Sequence, residues 1–453
     1  MLGKLIEKYN VPAPRYTSYP TVPFWDKEKP ATNRWLDVVS KTFSETNGNQ
    51  GISLYIHLPY CESLCTYCAC NTRITKNHTV EETYIDSLLK EWQIYLDTFS
   101  EKPIIRELHL GGGTPTFFSP DNLKVLIKKI LKDAVIHPKH DFSFEGHPNN
   151  TSEEHLKALY EVGFRRVSYG VQDLDLKVQK TINRVQPFEN VKNATFAARK
   201  IGYDSVNFDL IFGLPYQTRE SITETFHKVL ELKPNRIAFY SYAHVPWVKP
   251  GQRSYTDADL PDNEVKRSLY ETGKELLVQY GYHDIGMDHF ALPDDGLFHA
   301  HKNKQLHRNF MGYTVSNTQL LIGLGCSSIS DAKYAYAQNM KRVEDYRQCV
   351  EKNSSAIFKG HFLNEEDQVI RKIILDLACK GETQWFDEYD SLIDEEMRVE
   401  LLEMQAEGLL SFGNRNVVIS EMGKAFIRNI CMVFDKRLNA HKTCEEPLFS
   451  KAI

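Results

Sequence analysis

The chain has 453 residues, of which 42% are hydrophobic and 11% aromatic, so it can bury a large core and exceeds one compact domain of ordinary size. A formal net charge of −5 excludes a general affinity for nucleic acid, and no run of about 18 apolar residues predicts a membrane span. The first residues, MLGKLIEKYN, lack the apolar core of a secretory signal, so we expect a cytoplasmic protein.

The predicted elements begin after a weakly patterned N-terminal arm, residues 1–50. Six strand patterns then alternate with helix patterns through short loops, which is typical of a parallel sheet with crossover helices. We therefore predict an α/β fold, a partial (βα)6 TIM-like barrel over residues 51–360, whose closure the pattern leaves open. Chemistry in such barrels lies at the C-terminal ends of the strands. The predicted strands are 53–58, 105–110, 142–145, 166–170, 205–212 and 236–242, and the predicted helices are 80–99, 122–131, 152–162, 188–201, 220–232 and 263–280.

The alternation stops near residue 365, which predicts a separate C-terminal domain over 361–453. Helices at 366–379 and 395–408, a hairpin at 409–420 and a final helix at 423–438 suggest a small, mostly helical, winged-helix-like module. Modules of this kind often bind DNA. Here acidic residues precede the basic residues of the last helix, so a packing or lid role is favoured over DNA binding.

Four of the nine cysteines lie in the short segment C-E-S-L-C-T-Y-C-A-C-N, which follows the first predicted strand. Thiolates select zinc or iron–sulfur clusters, and a zinc site usually needs four ligands in two pairs. The remaining cysteines are scattered singly, so no second pair exists. Cys61, Cys65 and Cys68 can instead hold three irons of a four-iron cluster and leave the fourth iron open. The alternative is a chance run of structural cysteines.

The spacing C-x3-C-x2-C after a first barrel strand resembles the radical S-adenosylmethionine (SAM) superfamily. The resemblance implies that Cys61, Cys65 and Cys68 hold a 4Fe-4S cluster and that the methionyl amine and carboxylate of SAM bind the open iron. It also implies that the reduced cluster cleaves SAM to a 5′-deoxyadenosyl radical. The cofactors supply this chemistry, while the protein supplies position and electrostatics.

Further strings resemble the family of oxygen-independent coproporphyrinogen III oxidases along nearly the whole chain. They are P-R-Y-T-S-Y-P-T, C-x-C-N, L-H-L-G-G-G-T-P-T, S-Y-G-V-Q-D, D-L-I-F-G-L-P, Y-A-H-V-P, G-M-D-H-F-A, L-H-R-N-F-M-G-Y-T and R-N-I-C-M-V-F-D. The resemblance implies oxidative decarboxylation of two propionates of coproporphyrinogen III to vinyl groups, which gives protoporphyrinogen IX in haem biosynthesis. The electron donor and acceptor are unidentified, and we expect a monomer.

The resemblance also implies roles for individual residues. Tyr55, Glu145 and the glycine run that contains Gly112 would bind the first SAM, with the free N–H and C=O groups of the run offered to its methionine end. Cys70 would ligate no iron and, with Tyr67, would act near the substrate or the second cofactor. A second SAM is implied at Tyr67, Gly113, Thr114, Gln172, Arg184, Asp209, Ala243 and Ile329. Without the family, a core aromatic is the favoured role of Tyr55, and the alternatives are a solvated strand end for Glu145, a surface arginine for Arg184 and a tight turn for the glycines.

Some positions are less determined by the sequence. Arg15 and Arg308 are candidates to bind substrate propionates, with a structural ion pair as the alternative for each. Asp288 and His289 are polar residues in an apolar setting that would orient cavity groups or satisfy buried backbone. Ala69, and the pair Gly146 and His147, stand where the family usually has other residues, and we expect Ala69 to crowd the cluster loop.

Three other functions remain open at this point. A haem-opening methyltransferase is another tetrapyrrole-acting radical SAM enzyme, and a haem-binding chaperone uses the same barrel. The third is an iron–sulfur transcription regulator that binds DNA through the C-terminal module. Cys70 and the arm motif P-R-Y-T-S-Y-P-T favour the oxidase over the chaperone, since chaperone relatives usually lack both features.

Overall fold

The computed structural model describes residues 2–440 and residue 449. Its centre is a twisted sheet in which seven neighbouring strands run parallel, and the predicted α/β barrel is confirmed. All six predicted strands are present. In spatial order the parallel strands are Leu320–Leu324, Ile52–Leu58, Ile104–Gly112, Val135–Gly146, Arg166–Gln172, Ser205–Phe212 and Arg236–Ser241.

Antiparallel strands extend both sides of this parallel sheet. His289–Ala291 and His283–Gly286 continue one edge, and Ile329–Ala332, Ala335–Asn339 and Ile357–Phe362 continue the other. In the described part of the chain the two outermost strands do not pair with each other, so the barrel stays open. The strand Leu320–Leu324, which pairs with the first barrel strand, was not predicted from the sequence, because no single crossover helix precedes it.

Helices cover the outside of the barrel because each carries one apolar face. In Pro120–Lys132, for example, Leu123, Leu126, Ile127 and Ile130 are fully buried, and the Ser119 hydroxyl caps the first turn. The covering helices are Val80–Leu96, Pro120–Lys132, Glu153–Glu161, Phe188–Ile201, Arg219–Glu231 and Asn263–Gln279, with the shorter helices Leu176–Thr181, Gly296–Lys302 and Val343–Glu351.

The N-terminal 50 residues are more regular than the sequence indicated. Thr32–Gln50 is a helix whose residues Trp35, Val39 and Phe43 are buried in the barrel core at intervals of four, so the expectation of an unpatterned arm is wrong there. Polar residues of low helix propensity obscured this stripe. Leu2–Tyr9 is also helical, and Tyr9 and Tyr16 lie in a second core that is shared with the C-terminal segment.

The C-terminal segment contains the predicted helices and a three-stranded sheet. The helices are Glu365–Lys380 and Glu395–Ala406, and the strands are Glu382–Gln384, Leu410–Gly413 and Asn416–Ile419. The predicted final helix is wrong as one element, since it is divided into Met422–Phe426, Ile427–Val433 and Lys436–Asn439. Asp435 breaks it, because its buried carboxylate accepts from Tyr16 and from the backbone N–H of Leu438.

The rest of the predicted C-terminal domain, residues 441–448 and 450–453, lies outside the described residues, and so does Cys444. The division of the chain at residues 50 and 360 remains a prediction. Among the described residues, no helix combines the length and the apolar character that crossing a bilayer requires.

The short strands are Tyr60–Cys61, Arg73–Ile74, His307–Asn309 and Gly312–Thr314, and the 3-10 segments are Val22–Phe24, Pro115–Phe117, Pro250–Ser254, Asp257–Asp259 and Asp387–Leu392.

Candidate active site

The cysteine loop leaves the C-terminal end of the first barrel strand and is closed by a small parallel pair of strands. Tyr60–Cys61 pairs with Arg73–Ile74, so the loop begins and ends at the same place. Within it the N–H of Cys68 donates to the carbonyl of Cys65 at 3.1 Å, which makes a tight turn. The three predicted iron ligands are therefore held on one closed loop.

Neighbouring barrel elements hold this loop through its own backbone. The N–H of Thr66 donates to the carbonyl of Ile182 at 3.0 Å, and the amide of Asn183 donates to the carbonyl of Leu64 at 2.7 Å. On the other side the amide of Gln252 donates to the carbonyl of Tyr67 at 3.2 Å. These bonds shape the loop without using any thiol, so the cysteine side chains stay available as ligands.

The donor set is three free thiols on one short loop, and thiolates are the ligands of iron–sulfur clusters. Among the described residues, no three His, Cys, Asp or Glu side chains converge as ligands of one ion would. Thiolates of a cubane cluster each bind a different iron and therefore stand farther apart. The Arg184 guanidinium lies 3.6 Å from the sulfur of Cys65. A hydrogen bond from Cys70 lowers the pKa of Cys68 to about 6, whereas burial raises that of Cys61 to about 11.

The glycine run ends the second barrel strand for a steric reason. A methyl group on Gly113 would lie 2.6 Å from the carbonyl of Pro59, and one on Gly112 would lie 2.7 Å from the His57 ring. The expectation of free N–H groups in the run is wrong at two positions. The N–H of Gly112 donates to Glu145 at 3.2 Å, and that of Gly113 donates to the carbonyl of Leu58 at 2.9 Å. The run packs two strands closely, which brings the cluster loop and Glu145 together.

Glu145 lies at the C-terminal end of the third barrel strand, and its carboxylate has two polar neighbours. It accepts from Gly112, and the Nε2 atom of His109 stands 3.5 Å away. Burial disfavours the charge, but the hydrogen bonds and charge of His109, with the Gly112 bond, hold the pKa of Glu145 below its usual value. The carboxylate is thus an anion at neutral pH and can bind a cationic amine.

A cavity of about 250 Å³ opens above this carboxylate. Its walls include Tyr55, Gly112 and Glu145, as the resemblance implies for the first SAM, and also Cys70. Ile329, which was assigned to the second SAM, lines this same cavity and so lies with the residues of the first. The other lining residues are His57, Asn71, Phe310, Met311, Leu321, Ser327 and Ser328.

A second polar group surrounds Arg184. Its guanidinium donates to the carbonyl of Gly170 at 2.6 Å and approaches Cys65, while its Nε atom is buried with no hydrogen-bond partner in the described chain. The Gln172 side chain lies close to Gly170. A methyl group added to Gly170 would lie 2.5 Å from the amide nitrogen of Gln172. Burial and the charge of Glu145 raise the pKa of Asp209 to about 7.

The remaining predicted residues lie at the edge of the cysteine loop. The Thr114 hydroxyl is 3.3 Å from the sulfur of Cys61. Tyr67 packs against an apolar cluster that contains Tyr242 and Tyr255. The amide of Gln252 donates both to the carbonyl of Ala243 and to that of Tyr67, each at 3.2 Å, and thereby connects these two positions.

The arginines proposed for substrate binding have partners within the protein. Arg15 pairs with the carboxylate of Asp288, and Arg308 donates to the carbonyl of Arg15 at 3.1 Å. One terminal nitrogen of Arg308 and the Nδ1 atom of His289 are buried with no hydrogen-bond partner among the described residues. Burial lowers the pKa of His289 to about 3, so its ring is neutral. The arginines thus anchor the arm to the barrel, and their role toward propionates stays a prediction.

Ala69, Gly146 and His147 depart from the family pattern. Ala69 is exposed and its backbone is outside the left-handed region, so the expected crowding of the loop is wrong. Gly146 is needed because a methyl there would lie 2.9 Å from both Thr151 and the Tyr169 ring. Burial and the charge of Arg184 lower the pKa of His147 to about 3.

Sequence reasoning missed several residues of the site. His109, beside Glu145, was recognisable in L-H-L-G-G-G because it stands two residues before the glycine run, on the same face of the strand as Gly111. Gln252 and Asn71 hold the cysteine loop through long-range bonds, and no local pattern signals these contacts.

Comparisons with known proteins agree with this geometry. Residues 55–229 match the model of the radical SAM superfamily. The oxygen-independent coproporphyrinogen III oxidase of Pseudomonas aeruginosa is 37% identical over 443 residues, covering 96% of this chain and 95% of that protein. The Escherichia coli protein of the same name is 36% identical over 99% of this chain and 98% of its own.

A solved structure gives the same result for the fold. The coproporphyrinogen III oxidase of Escherichia coli, described as a radical SAM enzyme, superposes with a TM-score of 0.87 at 35% identity, over 93% of this chain and 97% of that one. Because nearly the whole of both chains is matched, the similarity extends over the arm, the barrel and the C-terminal segment. The chain therefore belongs to the family of oxygen-independent coproporphyrinogen III oxidases within the radical SAM superfamily.

Proposed function

We propose that the protein converts coproporphyrinogen III to protoporphyrinogen IX by oxygen-independent oxidative decarboxylation of two propionate side chains. For each propionate, one hydrogen atom leaves the β-carbon, carbon dioxide leaves the α-carbon, and one electron passes to an acceptor, which leaves a vinyl group. The observation that carries this proposal is the cavity in which Tyr55, Cys70 and Glu145 meet beside the three-cysteine loop.

The bound cofactors supply the reducing electron and the radical that abstracts the hydrogen atom. Cys61, Cys65 and Cys68 would hold the 4Fe-4S cluster, and the anionic Glu145 would bind the amine of SAM. The backbone packing of Gly112 and Gly113 fixes the distance between that carboxylate and the loop. The chain itself positions the reactants and excludes water from the cavity.

We further propose a second SAM beside the first. Arg184 offers a buried Nε atom without a partner, and a guanidinium fork is suited to a carboxylate. Asp209, whose pKa is raised to about 7, and Gln172 lie on adjoining strands near this arginine. Tyr67, Gly113, Thr114 and Ala243 complete the proposed site. Ile329 is placed with the first SAM in this proposal.

Cys70 lines the cavity, whereas the three ligand cysteines are not part of its wall. This difference supports a division of roles in which Cys70 and Tyr67 act in catalysis and Cys70 ligates no iron. The electron donor and acceptor are separate partners, and the protein acts as a monomer in the cytoplasm. Analytical ultracentrifugation tests the monomer, and a dimer at assay concentration would contradict it.

The deciding experiment is anaerobic turnover. The reconstituted protein receives dithionite, SAM, coproporphyrinogen III and a source of electron acceptor, and we expect protoporphyrinogen IX, carbon dioxide, methionine and 5′-deoxyadenosine. Methionine formation without decarboxylated product would refute the substrate and leave only general radical SAM chemistry. No observation favours the methyltransferase, the chaperone or the DNA-binding regulator over the oxidase.

A further inference from the structure

The cavity is too small to enclose both the cofactor and a tetrapyrrole. Its volume is about 250 Å³, and Tyr55, Gly112 and Glu145, the residues proposed for the first SAM, form part of its walls. Pockets that enclose one drug-sized ligand measure about 300–1,000 Å³. With the cofactor inside, a macrocycle would lie across the mouth of the cavity, with only the reacting propionate reaching inside.

Two separate segments of the chain reach this mouth through hydrogen bonds to its wall. Cys70 and Asn71 are part of the wall. The ammonium of Lys249 donates to the carbonyl oxygen of Cys70 at 3.3 Å. The amide of Asn71 donates to the carbonyl oxygen of Lys341 at 2.8 Å. The ammonium of Lys249 and the backbone carbonyl of Lys341 therefore each contact the cavity wall.

Next to Lys249 the chain exposes two consecutive large apolar side chains. Trp247 is 58% exposed and Val248 is 61% exposed. The segment that carries them packs on the cysteine loop, because a methyl group on Gly251 would lie 3.4 Å from the Leu64 side chain. Leu64 is itself 43% exposed. A contiguous apolar patch of this kind beside a reactive cavity indicates a surface that a ligand completes.

The charges at the mouth match a polyanion. In the part of the chain that the structure describes, neither Lys249 nor Lys341 has a carboxylate within ion-pair distance. Among the described residues the Lys249 ammonium contacts a backbone carbonyl, and the Lys341 ammonium lies 5.7 Å from the Phe358 ring centre. The Lys249 ammonium beside the apolar patch, with a second lysine on the neighbouring segment, fits an apolar macrocycle with carboxylates on its rim.

We propose that Trp247, Val248, Lys249 and Lys341 form the seat of the tetrapyrrole. Trp247 and Val248 cover part of the macrocycle face, and the two lysines bind propionates that are not reacting. The seat orients the macrocycle so that one propionate at a time enters the cavity past Cys70. This inference rests on the proposed function and names the residues that hold its substrate.

Equilibrium binding of coproporphyrin III to the full-length, anaerobically reconstituted protein tests the seat without turnover. Titrations follow the porphyrin absorbance at two salt concentrations. We expect Trp247→Ser to raise Kd about tenfold, and the double variant Lys249→Gln with Lys341→Gln to raise it as much and to weaken its salt dependence. Phe386→Ser, which changes an aromatic that is 72% exposed in the C-terminal segment, and Lys372→Gln are matched controls that leave Kd unchanged.

Turnover separates the seat from a docking surface for the electron donor. With dithionite as reductant, Trp247→Ser should raise KM for coproporphyrinogen III about tenfold and leave SAM cleavage without substrate unchanged, and Trp247→Phe should restore most of the affinity. Unchanged Kd in both Trp247→Ser and the double lysine variant would overturn the seat. A turnover defect that is seen only with a protein reductant would assign this surface to the electron donor and would also overturn the seat. If the wild-type protein neither binds nor decarboxylates the tetrapyrrole, the proposed function itself falls.

Discussion

Replacing Gly113 with alanine tests whether close backbone packing positions the cysteine loop. The added methyl group would lie 2.6 Å from both the carbonyl carbon and the oxygen of Pro59, and 2.8 Å from the carbonyl oxygen of Tyr60. Ordinary contacts of a methyl group begin near 3.4 Å, and backbone atoms cannot rotate away as side chains do. The strand ends must separate, which weakens the 2.9 Å bond from Gly113 to Leu58. We expect a loss of about 1–3 kcal/mol in the free energy of unfolding.

The assay combines urea unfolding of the anaerobically purified protein with its iron content after reconstitution. Gly113→Ala should unfold at lower urea and retain less iron, because the displaced segment carries Cys61. Gly48→Ala is the matched control, since Gly48 lies in the helix Thr32–Gln50 with nothing within 4 Å, and it should stabilise the protein by up to about 1 kcal/mol. Wild-type stability and iron content in Gly113→Ala would refute the packing argument.

Three further predictions concern single side chains. Cys70→Ser should keep the iron content and absorbance of the cluster but lose turnover, and loss of the iron would make Cys70 a ligand instead. Arg184→Lys keeps the charge but not the guanidinium fork, so calorimetry should show SAM binding about tenfold weaker, and unchanged binding stoichiometry and affinity would contradict its role. Burial raises the pKa of Glu91 to about 7 from its usual 4.5. Between these two pH values the folded protein binds a proton that the unfolded chain has lost, so the free energy of unfolding falls as pH rises from 4.5 to 7. Glu91→Gln should reduce that fall in urea titrations at pH 5 and pH 8, to which the raised pKa of Asp209 also contributes, and an identical fall in both proteins would refute it.

The six barrel strands were predictable because each is a short apolar run between turn residues, followed by a helix with one buried face. The strand Leu320–Leu324 was not, since it joins the sheet beside Ile52–Leu58 after a long irregular connection. The division of the last helix at Asp435 was equally hidden. Its cause is a buried contact with Tyr16, about 420 residues away, and no local pattern records such a contact.

The candidate site likewise has features that the sequence predicts and features that only the folded chain shows. The spacing of Cys61, Cys65 and Cys68 alone predicts a three-thiolate loop, because soft ligands at short intervals have few other uses. The placement of Ile329 with Glu145 depends on an antiparallel strand that folds back toward the cavity. The bonds from Gln252 and Asn71 to the loop and its surroundings arise from loops that meet only in the folded chain.

Sequence alone therefore determined the chemistry that the protein uses, since ligand type and spacing are local properties that survive in any fold. It also determined the α/β class, because hydrophobic periodicity is set by the geometry of each element. Only the tertiary structure decided that Cys70 borders the cavity, why Gly113 tolerates no side chain, and that Lys249 and Lys341 contact the cavity wall. Those facts depend on distances between segments far apart in the chain, which packing fixes and local pattern does not contain.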